Sequence, residues 1–385
     1  MGHGVVGAGP SDLDAAVQAA TRAQPGWANL SAKKRQAVLE AAADALVAQL
    51  EPLALLETAN TGKPLRESRA NVFTAADRLR YYAGACRVFE GVVPVTPDIT
   101  SYGLRQPLGV VGIIGAWNFP LNMFVGKIAP ALASGNTVVY KPADTTPVTT
   151  LEIAALFGSI FPPGVINVVT GSGAGTGAAM VAHPGIRKIS ITGSTRTGQR
   201  VMAAAGATLK RLTLELGGKN AQVIYPDADL DRAAQGILLG AFLNQGQVCT
   251  AGSRIYAHAS VADALKAKIL ALVPNLNIGD PFDPNTRMGS LSSRAHFDRV
   301  SDYIATGVRE GGRILCGGHP VQVDQYPKGL FMAPTLFEGV DPQARMAREE
   351  IFGPVATFDR WDDEDAMFAQ VNAVEQGLAA GVWTS

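Results

Sequence analysis

Residues 108–141 read LGVVGIIGAWNFPLNMFVGKIAPALASGNTVVYK, and the order of patterns within them decides the fold. Val110 to Ile114 and Thr137 to Tyr140 are short, apolar and β-branched, as strands buried on both faces are, and the segment between them has the length of a helix. A strand–helix–strand unit of this kind places its strands in parallel, with the helix crossing one face of the sheet. The pattern continues outward. Ile166 to Val169, Ile189 to Thr192 and Gln222 to Tyr225 are further β-branched runs separated by helix-length segments. From about Glu215 a second block alternates helix (Ala228 to Gln245, Val261 to Leu272) with short strands (Arg254 to His258). The expected class is α/β, with parallel sheets covered by helices.

Upstream of this stretch the period is helical. Ser11 reads as the cap of a helix reaching about Gln24, and Ser31 as the cap of one ending near Leu50. Pro52 to Asn60 stops at the turn Thr61-Gly62-Lys63-Pro64, and another helical pattern runs from Asn71 to about Val88. Val92 to Leu104 loses that period and reads as extended, exposed chain.

The chain has 385 residues, enough for two domains, with an ordinary globular composition. Lysine plus arginine and aspartate plus glutamate number 33 each, so no net field draws nucleic acid or an anionic membrane. No apolar run reaches spanning length, and Met1 to Pro10 has neither the basic region nor the apolar core of a signal peptide. Cys86, Cys249 and Cys316 lie far apart with no zinc-type spacing, which predicts a reducing, cytoplasmic setting and no metal.

Several residues carry candidate chemistry. Cys249 lies in Asn244-Gln245-Gly246-Gln247-Val248-Cys249-Thr250-Ala251-Gly252, a polar turn at which a helical pattern breaks. Such a turn exposes a thiol near backbone N–H groups that favour its thiolate; the competing reading is a small buried hydrophobe, which is how Cys86 and Cys316 read. Glu215 ends an apolar strand before Leu216-Gly217-Gly218-Lys219, where apolar surroundings raise a carboxylate towards the range of a general base, against the alternative of a solvated edge glutamate. The glycines after it let backbone come close to another group. Asn118 follows a strand directly and offers a fixed N–H donor to an oxyanion, or else caps the helix that begins near Leu121. Three strand-to-helix turns are candidate cofactor contacts: Gly171 to Gly177, Thr192 to Gly198, and Lys141-Pro142-Ala143-Asp144, whose charged groups suit ribose hydroxyls.

Taken in order, Trp117-Asn118-Phe119-Pro120, Lys141 to Asp144, Thr192-Gly193-Ser194, Glu215 to Lys219, Gln245 to Cys249 and Glu349-Glu350-Ile351-Phe352-Gly353-Pro354-Val355 resemble the aldehyde dehydrogenase superfamily from end to end. Through Gly115-Ala116-Trp117-Asn118, Pro226 to Ala233 and Gln247 to Thr250 the chain is most similar to the betaine aldehyde and aminoaldehyde dehydrogenases.

The resemblance implies a Rossmann-like NAD-binding domain (1–91 and 105–214), an oligomerisation arm (92–104) and an α/β catalytic domain (215–385) that is C-terminally truncated. It implies Cys249 as nucleophile, Glu215 as base, and Asn118 with the Cys249 N–H as oxyanion hole. Lys127 matches a lysine near the catalytic machinery, or is a helix-surface lysine. Lys141 and Asp144 would hold the adenosine ribose and Gly193 and Ser194 the pyrophosphate. Gly115, Ala116, Trp117, Leu216 and Gly217 would line the cofactor pocket, with Glu350 on the nicotinamide ribose and Phe352 beside the ring. The implied reaction is NAD(P)-dependent oxidation of an aldehyde to an acid by a homo-oligomer, a dimer or tetramer at full length.

Asp144 stands where glutamate is usual, and a carboxylate there repels a 2′-phosphate, so NAD is expected rather than NADP. Gly126 replaces an aromatic before Lys127, which should widen the substrate channel. Asn220-Ala221 replaces Ser-Pro. The competing functions are a cysteine-dependent esterase or thioesterase, and a non-catalytic relative; the cofactor turns speak against the first, and the presence of both Cys249 and Glu215 against the second.

Overall fold

The computed structural model describes residues 5–89, 91, 93 and 97–385. They form two compact units: one runs to Asn60 and resumes over Ser68–Glu215, the other is Thr61–Glu67 with Leu216–Ser385.

Four helices, α1 (Pro10–Ala28), α2 (Ala32–Ala48), α3 (Leu50–Thr61) and α4 (Leu65–Ala85), all in the first unit but for Thr61 and Leu65 to Glu67, lead into its sheet. There β1 (Val110–Ile114), α5 (Pro120–Ala133), β2 (Thr137–Lys141), α6 (Val148–Phe157), β3 (Ile166–Val168), α7 (Ala178–Ala182), β4 (Lys188–Thr192), α8 (Thr195–Gly206) and β5 (Arg211–Glu215) alternate. The strand order is β3-β2-β1-β4-β5 and every pairing is parallel. Val110 and Ile114, with Val139, Ile189 and Ile191, bury their side chains in one cluster with Leu13 and Val17 of α1.

Helix starts differ from the sequence reading by two residues at α3, which begins at Leu50, and for identifiable reasons at α1 and α4. Helix α1 begins at Pro10, because proline is preset for the first helical position and the Asp12 carboxylate accepts from the Gly9 N–H at 2.8 Å. Helix α4 begins at Leu65, ahead of Asn71, whose side chain instead accepts from Asn122 at 3.0 Å. Ser31 caps α2, its hydroxyl accepting from the Lys34 N–H. Of the segment from Val92 to Leu104, residues 92 and 94–96 lie outside the described ones; Ile99, Tyr102 and Leu104 are exposed.

The second unit holds β6 (Ala221–Ile224), α9 (Leu230–Phe242), β7 (Arg254–His258), α10 (Ala259–Leu272), α11 (Arg294–Arg309), β8 (Arg313–Cys316), β9 (Thr335–Glu338), α12 (Arg345–Arg348), β10 (Val355–Trp361), α13 (Glu364–Val371) and β11 (Ala380–Trp383). Its sheet runs β11-β6-β7-β10-β9-β8, parallel except for the β8/β9 pair. Helix α9 is capped by Asp229, which accepts from the N–H groups of Asp231 and Arg232, and packs Ile237 and Phe242 into a core with Ile255, Leu265 and Phe358. The segment Thr61–Glu67 belongs here because its hydrogen bonds do. Leu65 N–H donates to Pro281 O, Ser290 N–H donates to Gly62 O, and the Glu67 carboxylate accepts from the Asn244 N–H at 3.1 Å. Among the described residues no helix is long and apolar enough to cross a membrane.

Candidate active site

In the first unit the candidate residues lie where a parallel sheet presents ligands. The chain winds from β1 outward to β2 and β3, then returns to place β4 and β5 on the other side, so the order reverses beside β1. Ligands of open α/β sheets bind outside the carboxyl ends of the strands at such a point. Gly115 to Asn118 follow β1, Lys141 to Asp144 end β2, Gly193 and Ser194 follow β4, and Glu215 ends β5.

At the end of β1, Gly115 donates its N–H to Lys141 O at 2.9 Å. Ala116 and Trp117 are half-buried, and the Trp117 carbonyl accepts from the Thr146 hydroxyl at 3.1 Å. Asn118 is 3% exposed and does not cap α5: the residue before the helix is Phe119, with no side-chain cap, and Pro120 opens it without an N–H. The capping alternative is therefore set aside.

Lys127, on α5, is not a surface lysine. Its Nζ donates to the Ser190 hydroxyl of β4 at 3.1 Å. Burial brings its pKa down to about 8, the negative charge of Glu215 pulling it back up and Lys188 pushing it further down. Glu215 itself is exposed, at the end of the edge strand β5, its carbonyl accepting from the Gly193 N–H. The apolar environment expected from its sequence neighbours is absent in this unit, because a side chain on the last residue of an edge strand leaves the sheet.

Of the three turns, Gly171 to Gly177 forms a single π-type turn that Ser172 caps on the Gly175 N–H. Thr192 to Gly198 opens the longer α8, where the Ser194 hydroxyl accepts from the Thr197 N–H and the first turn holds no acidic residue. Such a helix start accepts a pyrophosphate. Lys141 is buried, its Nζ donating to Pro142 O at 2.8 Å and keeping further N–H groups, while Asp144 is exposed. Burial lowers the Lys141 pKa and the nearby Asp144 raises it. A carboxylate acceptor, an ammonium donor and a helix start free of negative charge are a donor set that suits a dinucleotide.

Expectation and structure part at Gly126. A Cβ added there would lie 2.8 Å from Nη1 of Arg78, so the room that a missing aromatic leaves is taken by a guanidinium rather than opened.

In the second unit the candidate nucleophile follows a stretch of strained backbone. Helix α9 ends at Phe242, three residues before the reading placed its end, since Asn244, Gln245 and Gly246 all adopt positive φ (49°, 57° and 70°). The turn is held from several sides. Gln247 donates to Asn244 O at 3.0 Å and accepts from the Ser292 N–H at 3.0 Å. Glu67, whose carboxyl burial raises to about 7 against the pull of Lys63, Arg66 and the Asn244 N–H, holds the turn's start. Cys249 is partly exposed. Its carbonyl accepts from the Asn220 side chain at 2.8 Å, which also donates to Ala251 O at 3.1 Å and accepts from the Ala379 N–H at 2.9 Å. Asn220 was noted in the sequence only as a departure; its placement depends on backbone that no spacing reveals. A Cβ on Gly218 would stand 2.6 Å from Cys249 O, so glycine there is what lets the two chains meet.

The Glu350 carboxylate accepts from the Gly218 N–H at 3.1 Å and lies against Gly217; burial raises its pKa. Leu216 and Gly217 are half-buried. Lys219 is buried, and its pKa falls to about 7 through desolvation and the charge of Arg254, opposed by Glu350 and Glu349. Phe352 holds a left-handed φ of 64°, and its carbonyl lies 2.7 Å from Nε2 of His296. Burial keeps His296 neutral down to about pH 4, so this contact is an N–H donation. Cys86 is buried, as its bland reading has it, and Cys316 is half-buried; burial pushes both thiols up, one against Tyr82 O and the other near Pro334 O.

The described geometry agrees with comparison to known proteins. PnpE of Pseudomonas sp. WBC-3 is 42% identical, covering 99% of this chain and 79% of that one at a TM-score of 0.96; its complex with nicotinamide adenine dinucleotide gives 0.97. A betaine aldehyde dehydrogenase of Staphylococcus aureus, in complex with NAD+, is 35% identical over 99% of this chain and 76% of that one, with a TM-score of 0.96. An NADP-dependent enzyme of E. coli is 36% identical over 99% and 79%, also at 0.96. A model of the aldehyde dehydrogenase family matches residues 4–385, and the chain belongs to that family.

Proposed function

We propose that Cys249 is the nucleophile with which this aldehyde dehydrogenase oxidises an aldehyde to a carboxylic acid, and that NAD is its cofactor. The observation that carries the reading is the contrast among the three thiols. Cys249 is partly exposed and follows a braced turn of left-handed backbone, Asn244 to Gly246, whereas Cys86 is buried and Cys316 sits at the end of β8 against Pro334 O.

An aldehyde carbon carries no leaving group other than hydride, so a nucleophile must add first. The Cys249 thiolate forms a thiohemiacetal, whose oxyanion takes hydrogen bonds from the Asn118 amide and the Cys249 N–H. NAD, when bound, supplies the acceptor for the hydride that leaves this carbon. Cys249 then carries a thioester. Glu215 takes a proton from water, the hydroxide adds to the thioester carbonyl, and the acid departs as the thiol is regenerated. Lys127 stands in the field of Glu215, whose negative charge favours the ammonium form of the lysine.

Lys141 and Asp144 are the residues for the adenosine ribose, and Gly193 and Ser194 for the pyrophosphate, on the donor set described above. Glu350, Phe352, Leu216 and Gly217 are those for the nicotinamide half, with Gly115, Ala116 and Trp117 lining the pocket. The exposed Asp144 carboxylate disfavours a 2′-phosphate, which supports NAD over NADP; the PnpE and Staphylococcus aureus relatives carry NAD, the E. coli one uses NADP. The free thiols suit a reducing compartment, and we place the protein in the cytoplasm as a homo-oligomer, with the exposed Ile99, Tyr102 and Leu104 supporting an arm for assembly.

Replacing Cys249 by serine should lower aldehyde-dependent NADH formation by about a thousandfold or more. Cys86→Ser and Cys316→Ser should retain it. Turnover that survives Cys249→Ser would overturn the assignment, and hydrolysis of an ester without any NAD-dependent oxidation of an aldehyde would point to an esterase.

A further inference from the structure

The strip of α5 beside Lys127 has a feature that the reaction itself does not use. Asn122 and Gly126 lie four residues apart on one helix face, one and two turns into a helix that begins two residues after Asn118. Over that face lies the guanidinium of Arg78, from α4. Its Nη1 donates to Asn122 O at 3.3 Å and occupies the space that any side chain at Gly126 would enter. Arg78 is exposed, and no carboxylate stands within ion-pair distance of it among the described residues. The nearest charged group along α5, Lys127, is also a cation. A guanidinium that a backbone carbonyl holds in place, with most of its N–H donors still available, matches a carboxylate or a phosphate better than any neutral group.

We propose that Arg78 is a specificity-determining residue that selects aldehydes carrying a carboxylate at the end remote from the carbonyl. Resting on the assignment of Asn118 to the reacting oxygen, the selection follows from direction and sign. The aldehyde carbon is held at the start of α5, so the far end of a short chain extends along the helix face that Arg78 covers. From Pro120 to Gly126 a helix advances about 9 Å, the reach of a dicarboxylic semialdehyde of modest length. The same charge works against a trimethylammonio aldehyde, which needs an aromatic surface where this chain has glycine and a cation.

The test compares kcat/KM for ω-carboxy aldehydes of increasing length, beginning with succinic semialdehyde, with that for n-alkanals of the same length and for betaine aldehyde. The wild-type enzyme should prefer the carboxylated member of each pair. Arg78→Gln should reduce that ratio by about ten- to a hundredfold, the worth of charge-assisted hydrogen bonds to a carboxylate, chiefly through KM, and Arg78→Lys should restore part of it. Gly126→Ala reads the same contact from the other side, since its methyl displaces the guanidinium; it should also lower the ratio. A ratio unchanged in Arg78→Gln and Gly126→Ala, or a wild-type preference for the neutral or cationic aldehyde, overturns the proposal while leaving the enzyme an aldehyde dehydrogenase. An enzyme that turns over none of these aldehydes, with Cys249 intact, overturns the underlying assignment instead.

Discussion

Replacing His296 by leucine should be costly at pH 8 and nearly neutral at pH 5. His296 is 9% exposed and donates from Nε2 to the carbonyl of Phe352, the residue with left-handed backbone two positions after Glu350. Burial lowers its pKa from 6.5 to about 4; the hydrogen bond to Phe352 opposes that shift and the charge of Arg299 adds to it. Between these two values the unfolded chain binds the proton and the folded chain does not. Stability from this residue is therefore complete above pH 6.5 and drains away as pH falls towards 4. At 1.36 kcal/mol per unit the whole loss is about 3 kcal/mol, of which about 2 kcal/mol is incurred by pH 5. Leucine has similar bulk and does not titrate, but it removes the donor to a part-buried carbonyl, a cost of about 1–3 kcal/mol at every pH. The variant should thus trail the wild type by about 2 kcal/mol at pH 8, and the gap should close by pH 5. Urea unfolding followed by tryptophan fluorescence, at fixed ionic strength across that range, measures the gap directly. A difference that stays constant with pH, or widens towards acid, refutes the neutral, donating histidine.

Two further outcomes concern the first unit. Lys127→Met should remove an inflection near pH 8 from the profile of kcat/KM, since the ammonium that loses its proton there lies in the field of Glu215; an inflection that persists assigns it elsewhere. Asp144→Asn should raise kcat/KM for NADP relative to NAD by about tenfold, the scale of one charge pair near the surface, and an unchanged ratio under steady-state assay would show that Asp144 does not set cofactor choice.

The parts of the fold that alternate in hydrophobicity were legible before any coordinates. β1 and β7 have the bounds that the sequence reading gave them, because strands buried on both faces leave little else in the pattern. Boundaries failed where a local competitor was stronger than the period: Pro10 opened α1 early, and three left-handed residues cut α9 short of Gln245. The region from α11 to α13 was not resolved into elements, since its strands are short and one pair runs antiparallel. For the site, residue type and order named the candidates, but not their surroundings. Glu215 looks apolar in sequence and is exposed in its unit; Lys127 looks like a surface lysine and is partly buried. Gly126 looked like an opening and faces Arg78. Asn220 and His296 act through backbone carbonyls of distant segments, and such pairings leave no trace in spacing.

The allegiance of Thr61–Glu67 has a consequence for synthesis. These residues leave the ribosome long before Asn244, Pro281 and Ser290, with which they share hydrogen bonds. At about 5–20 residues per second, the wait between Glu67 and Ser290 lasts about 10–45 seconds. Through that interval the α/β sheet ending at Glu215 can be completed, while a heptapeptide near its amino-terminal end remains without its mates. Maturation of the nascent polypeptide thus has an enforced order: the later half must arrive before the earlier half is fully tied down.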